Sequence, residues 1–223
     1  MNHEKQANRV IIKGEISSIA VFSHEVLGEN FYEMSISIKR LSGQNDVLPI
    51  TISERLIGSN DLKIGTPLAA SGQFRSYNKI VGNKSKLMLT VFIREILDFD
   101  TTETTNEIYL EGFICKLPVY RTTPFNREIA DILLAVNRAY NKSDYIPCIA
   151  WGRNARFAKE LALGNKISVT GRIQSREYQK KFDDQTKTFT AYEVSVSAIN
   201  TESGDNYYVD EGEYNENELN TAH

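Results

Sequence analysis

Apolar and polar residues alternate along two separate stretches of this chain, and the two stretches keep step with each other. In Arg9–Ile16 the residues Val10, Ile12, Gly14 and Ile16 share one parity; in Glu107–Lys116 it is Ile108, Leu110, Gly112 and Ile114. A period of two predicts a strand with one buried face. Apolar-rich runs follow at Met34–Ile38 and Ile132–Val136, then at Asp46–Ile52 and Asp144–Trp151. Each of the latter pair carries a proline three residues after its Asp, and the missing ladder donor predicts a bulge or an edge position there. Pro67–Phe74 and Lys166–Ile173 each run through a glycine, and Leu87–Ile93 and Thr188–Ile199 close the two series with further alternation.

One segment has helical spacing instead. In Asn154–Leu163, Phe157 and Leu161 fall at i and i+4, as do Ala158 and Ala162, with Asn154 as N-cap and Gly164 as the terminating glycine. Phe157 is read as helix core. Its counterpart, Glu54–Leu62, contains Gly58 and predicts a shorter or ragged helix. Strands, a helix before the fourth strand, then a closing strand is the order of an OB-fold barrel.

The two series are copies. Asn8 and Asn106, Gly14 and Gly112, Arg40 and Arg138, Asp46 and Asp144, and Pro49 and Pro147 are identical pairs at a spacing of 98. One inserted residue later the spacing is 99, pairing Gly65 with Gly164, Gly72 with Gly171 and Ser76 with Ser175. Repeats of this length are domains, not solenoid units. The expected fold is therefore all-β: two tandem OB-fold barrels, each with a short helix before its fourth strand, plus a disordered acidic tail. The expected bounds are 1–98 for a diverged N-terminal barrel, 99–105 for a polar linker short enough that the barrels touch, 106–200 for the second barrel, and 201–223 for the tail.

Charge sharpens this picture. The net charge of −3 conceals a balance of zero before residue 106, +4 over 106–200 and −7 beyond. A cationic second copy is masked by its tail. The polar Met1–Asn8 argues against a secretory leader, and no apolar run is long enough for a membrane span. Cys115 and Cys148 lie in apolar strand-like runs and are expected to be two buried thiols; a cytoplasmic, nucleoid-associated location is expected.

Single strands of nucleic acid are held by aromatic faces that stack on bases and by a basic groove that follows the phosphates. The second copy has both. Tyr140 lies in a turn between Arg138 and Lys142. Tyr145 and Trp151 are six apart on one strand and share a face unless a bulge intervenes, while Ile146, Cys148 and Ala150 supply the apolar opposite face. Tyr178 follows Arg172 and Arg176 at the start of what reads as a long loop containing Lys180, Lys181 and Phe182.

The stretches AVNR (135–138), DYIPCIAWGR (144–153) and GRIQSREY (171–178) resemble the bacterial single-stranded DNA-binding protein family, with Thr122–Pro124 and Ala155–Gly164 matching in kind and place. The resemblance covers about Asn106 to Ile199. It implies base stacking at Tyr140, Tyr145, Trp151 and Tyr178, phosphate contact at Arg138, Arg153, Arg172 and Arg176, and a homodimer that presents four barrels. In the first copy Ser42, Val47, Ser53 and Lys79 stand at the four aromatic positions. Arg40, Arg55, Phe74, Arg75, Tyr77 and Lys79 remain there for weaker contact, and an assembly role for that copy is equally open. The family's acidic tail, which recruits replication and repair proteins through a hydrophobic tip, is matched in charge but ends in Leu219–His223 without such a tip.

No phosphate-cradling glycine loop, metal spacing or nucleophile–base arrangement is present, and His3, His24 and His223 are scattered through termini and a loop. Asp183–Asp184 reads as a solvated turn. No catalysis, cofactor or metal is expected. The alternatives left open are a protein-interaction module of a replication-restart, plasmid or phage complex, and RNA binding, since stacking accepts either sugar.

Overall fold

The computed structural model describes residues 7–58, 60–82, 84–182, 185–201 and 206–208; the side chains at 81, 84, 181, 182, 185 and 206–208 lie outside that description. The chain runs β1 (Asn8–Ile16), β2 (Val21–Val26), β3 (Glu29–Lys39), β4 (Asn45–Ser53), α1 (Glu54–Gly58), β5 (Pro67–Val81), β6 (Lys84–Leu97), then β7 (Asn106–Thr122), β8 (Glu128–Arg138), β9 (Lys142–Trp151), α2 (Gly152–Lys159), β10 (Lys166–Phe182), β11 (Gln185–Thr201) and β12 (Asn206–Tyr208).

Two OB-fold barrels result. In the first, β1 pairs with β3, β3 with β4, β4 with β6 in parallel, β6 with β5, and β5 returns to β1. In the second, β7, β8, β9, β11 and β10 close the same circuit, again with one parallel pair, β9 and β11. The alternating residues fill the interiors: Val10, Ile12, Ile36 and Ile50 in one barrel and Ile108, Leu110, Leu134 and Ile146 in the other are fully buried. Both closures use a glycine bulge, at Ser71/Gly72 and Thr170/Gly171. There the partner strand passes so close that a Cβ would sit 2.2 Å from the Phe92 carbonyl oxygen or 2.1 Å from that of Ser195. Only glycine lets these long strands coil round the barrel.

Several local expectations are corrected. Neither proline breaks its ladder: Pro49 and Pro147 stay in register with Ser35 and Leu133, and the parallel partner joins one residue later, at Ile50 and Cys148. The missing donor thus falls where no partner strand needs it. Helix α2 starts at Gly152 and ends at Lys159, with Trp151 in extended conformation as a cap that makes no side-chain bond. Asn154 is not the cap. It is fully buried, and its Nδ2 donates to the Ser197 carbonyl oxygen at 3.0 Å, which pins the helix to β11. Phe157 is partly buried against the core, as expected. Phe74 is fully buried and so is not available for contact. Cys148 is buried, and burial pushes its thiol upward. Cys115 is exposed, because it follows the outward parity of Phe113, opposite to the buried Gly112 and Ile114. In the tail, β12 pairs with Ala198–Asn200 of β11; the rest of the expected disorder, and the Asp183–Asp184 turn, lie outside the described residues.

The barrels do more than touch. β1 and β7 pair antiparallel, Asn8 with Leu110 through Ile12 with Asn106, so one sheet runs through both. The repeated asparagines clamp their own barrels: Asn8 bonds the Phe74 backbone with both amide atoms, at 2.7 and 2.9 Å, and Asn106 does the same to Ile173, at 2.7 and 3.0 Å. Two seams flank the β1–β7 pairing. At one, the buried Asp46 carboxylate accepts from the Ser175 N–H at 2.6 Å and from Arg40 Nε and Nη2 at 2.7 and 2.6 Å, with Arg172 Nη1 3.5 Å away. At the other, buried Asp144 accepts from the Ser76 N–H at 2.8 Å, and Arg138 Nη1 is 3.5 Å away.

Candidate nucleic-acid interface

β9 runs without a bulge, so its parity decides which side chains reach solvent. Ile146, Cys148 and Ala150 point inward, while Tyr145 is 46% exposed and Trp151 partly exposed on the outer face. Tyr145 is anchored from the first barrel, its N–H donating to Ser76 Oγ at 2.8 Å. Tyr140 is 94% exposed and held at φ +63° in the β8–β9 turn, a left-handed conformation that lifts its ring off the sheet.

The long loop expected around Tyr178 is instead a hairpin arm, since β10 continues to Phe182 and pairs with β11 throughout. Tyr178 therefore has a cross-strand partner that the sequence reading missed. Phe189 stacks on it with centroids 5.7 Å apart and planes at 27°. Arg176 and Lys180 lie 6.0 and 5.6 Å from the Tyr178 ring, and Lys86 of the first barrel lies 5.8 Å from that of Phe189. The arm is an aromatic pair ringed by cations from both barrels, the arrangement that accepts a base and its phosphates together.

The basic residues fall into two sets. Lys142, Arg153, Arg176 and Lys180 are exposed, Arg176 lying 3.6 Å from Glu193, while the Lys181 side chain lies outside the described residues. Arg138 is partly exposed above Asp144. Arg172 is likewise partly exposed, 3.5 Å from Asp46, whereas Arg40 is drawn into the seam at 2.6 Å from the same carboxylate. In the first barrel Arg55 and Lys79 are exposed, Arg55 at 3.9 Å from Glu29. The Tyr77 hydroxyl donates to Glu33 at 3.1 Å, and burial, then the Glu33 charge, push it up to about 12. Arg75 lies over Phe92, its guanidinium carbon 4.0 Å from the ring centroid; burial, then the charges of Arg138 and Arg94, pull it down to about 10. Among the described residues no group of three His, Cys, Asp or Glu side chains gathers as a metal would require, and no helix is long and apolar enough to cross a membrane.

The sequence model of the single-strand binding protein family matches residues 105–201, the whole second barrel. Over that stretch, less than half of the chain, the sequence is similar to that family. "Single-stranded DNA-binding protein 1" of Staphylococcus aureus is 36% identical over 83 residues, 34% of this chain and 50% of that protein. The single-stranded DNA-binding protein of Clostridium tetani is 32% identical over 97 residues, covering 40% of this chain and 66% of its own. The chain thus spans about half to two thirds of the relatives it matches. The tandem arrangement has its own parallel: a deletion mutant of the Thermus aquaticus single-stranded DNA binding protein superimposes with a TM-score of 0.63 over 87% of this chain and 93% of that one, at 19% identity. That likeness is one of fold.

Proposed function

We propose that this chain coats single-stranded DNA with little sequence preference and without catalysis, in replication, recombination and repair in the cytoplasm at the nucleoid. Tyr140, Tyr145, Trp151 and Tyr178 stack bases, joined by Phe189, and Arg138, Lys142, Arg153, Arg176, Lys180 and Lys181 take phosphates. Arg40 serves the seam instead, while Arg172, at 3.5 Å from Asp46 and as exposed as Arg138, joins the phosphate set. The observation that carries the reading is the parity of β9: its large aromatics face solvent while small and aliphatic residues fill the barrel. A stacked base contributes about 1–3 kcal/mol, so a few platforms with phosphate pairing suffice for tight binding. The units 1–98 and 106–200, joined by 99–105, work as one body, and two chains pair to present four barrels. The tail, 201–223, meets partner proteins.

Trp151 is the chain's only tryptophan, so its fluorescence reports on the second barrel alone. Oligo(dT) should quench it strongly at low salt, with log K falling by about 0.7 per log unit of salt for each phosphate neutralised. No quenching, or quenching indifferent to salt, would remove the proposal.

A further inference from the structure

The first barrel lacks aromatics at the equivalents of Tyr140, Tyr145, Trp151 and Tyr178, yet the strand register shows where others have gone. In the second barrel Trp151 pairs across the strands with Ile129; the equivalent pair is Ser53 with Phe31, so the aromatic has crossed from β9's counterpart, β4, to β3. Phe92 stands on β6 where β11 has Ser195, each one residue before the partner of the bulge glycine. The cross-strand pair Tyr178–Phe189 has become Lys79–Lys86.

The relocated rings form one string. His24 of β2 stacks on Phe31 with centroids 5.1 Å apart and planes at 11°, Phe31 meets Phe92 at 5.5 Å, and Arg75 covers Phe92 at 4.0 Å. Gln73 Oε1 ties in a second guanidinium, accepting from Arg75 Nη2 at 2.9 Å and Arg94 Nη2 at 3.3 Å. Phe31 is buried, whereas His24 and Arg94, towards the two ends, are exposed. Buried Arg75 Nε has no hydrogen-bond acceptor. Arg138, a member of the second barrel's phosphate set, and its partner Asp144 are both near enough to bear on Arg75 electrostatically. The acidic residues on the same face of β3 are Glu29 and Glu33; Glu29 lies 3.9 Å from Arg55, and the Glu33 carboxylate already accepts from Ser23 Oγ at 2.9 Å and Tyr77 Oη at 3.1 Å.

We propose that this face is a second subsite for single-stranded nucleic acid, in which a base stacks on His24 and the adjoining phosphates pair with Arg94 and Arg75. A strand laid across β2, β3, β4, β6 and β5 passes from the imidazole over Phe31 to the guanidiniums and on to Arg138. The inference rests on the reading of the second barrel given above.

The test compares the full chain with His24→Ala/Arg94→Ala, which alters only exposed side chains. Short oligo(dT) should quench Trp151 in both with the same affinity. Titration with poly(dT) should give a site size smaller by roughly 4–16 nucleotides in the variant, the span that one OB fold covers. An unchanged site size overturns the subsite. Independently of any variant, oligo(dT) carrying 5-iodouracil should photo-crosslink to peptides from β2–β3 as well as from β9–β11; crosslinks confined to the second barrel overturn it too. Absence of Trp151 quenching in the unmodified chain would instead strike the reading of the second barrel, and this subsite with it.

Discussion

The two seams between the barrels use the same residues and close to different degrees. At both, a buried Asp accepts the N–H of a Ser in the other barrel, and the Ser hydroxyl accepts a β-strand N–H in return, from Val47 at 3.3 Å at one seam and from Tyr145 at 2.8 Å at the other. The difference lies in the cations. Asp46 holds Arg40 through two short bonds with Arg172 at 3.5 Å, whereas Asp144 has Arg138 at 3.5 Å and no short bond to it, and Gln73 stands where the other seam has Arg172. A guanidinium held by two short bonds, as Arg40 is, is committed to the fold. A carboxylate loosely shared with one leaves that guanidinium able to reach a phosphate. Duplication has kept the mechanical join on both sides and released the charge on one.

The largest effect should come from breaking the closed seam. Asp46→Ala takes the carboxylate from the partly buried Arg40 guanidinium, leaving it the Ser175 carbonyl oxygen, and orphans the Ser175 N–H; it should cost about 3–5 kcal/mol in urea unfolding. Asp144→Ala should cost roughly 1–3 kcal/mol, the scale of one orphaned backbone donor. Equal losses would erase the distinction. Next, Trp151→Ala should weaken oligo(dT) binding by about 1–3 kcal/mol, read by anisotropy of labelled DNA since the fluorophore is gone, with stability little changed. Smaller still is a contrast in salt dependence. Arg138→Gln should flatten the slope of log K against log salt by about 0.7–1, while Arg40→Gln lowers the unfolding midpoint and leaves the slope alone. A flattened slope in Arg40→Gln would return that residue to the DNA. The least effect belongs to Arg55→Ala, whose exposed pairing with Glu29 at 3.9 Å should be worth under about 1 kcal/mol in stability.

The barrels were legible because alternation survives wherever one strand face is buried, and Val10, Ile12, Ile108 and Leu110 all obey it. β2 escaped because all of it is exposed or nearly so, leaving no alternation to read, and His24 was consequently taken for a loop residue. The repeated letters were legible as duplication but not as function. Arg40 and Asp46 pair locally, but Asn8, Asp46, Ser76 and their counterparts also reach partners some 66 to 129 residues apart, which no local spacing encodes. On the site, the outward placement of Tyr145 and Trp151 followed from parity alone. Phe189 could not, since its place beside Tyr178 depends on a hairpin whose strands continue well past the charged residues that look like a loop.

The antiparallel pairing of β1 with β7 joins the two copies within a single polypeptide. Their association is therefore an intramolecular equilibrium, insensitive to how scarce the protein is, and it holds at dilutions where separate chains would drift apart. Each copy is guaranteed its neighbour, so either can exchange its outward side chains without first having to secure a mate.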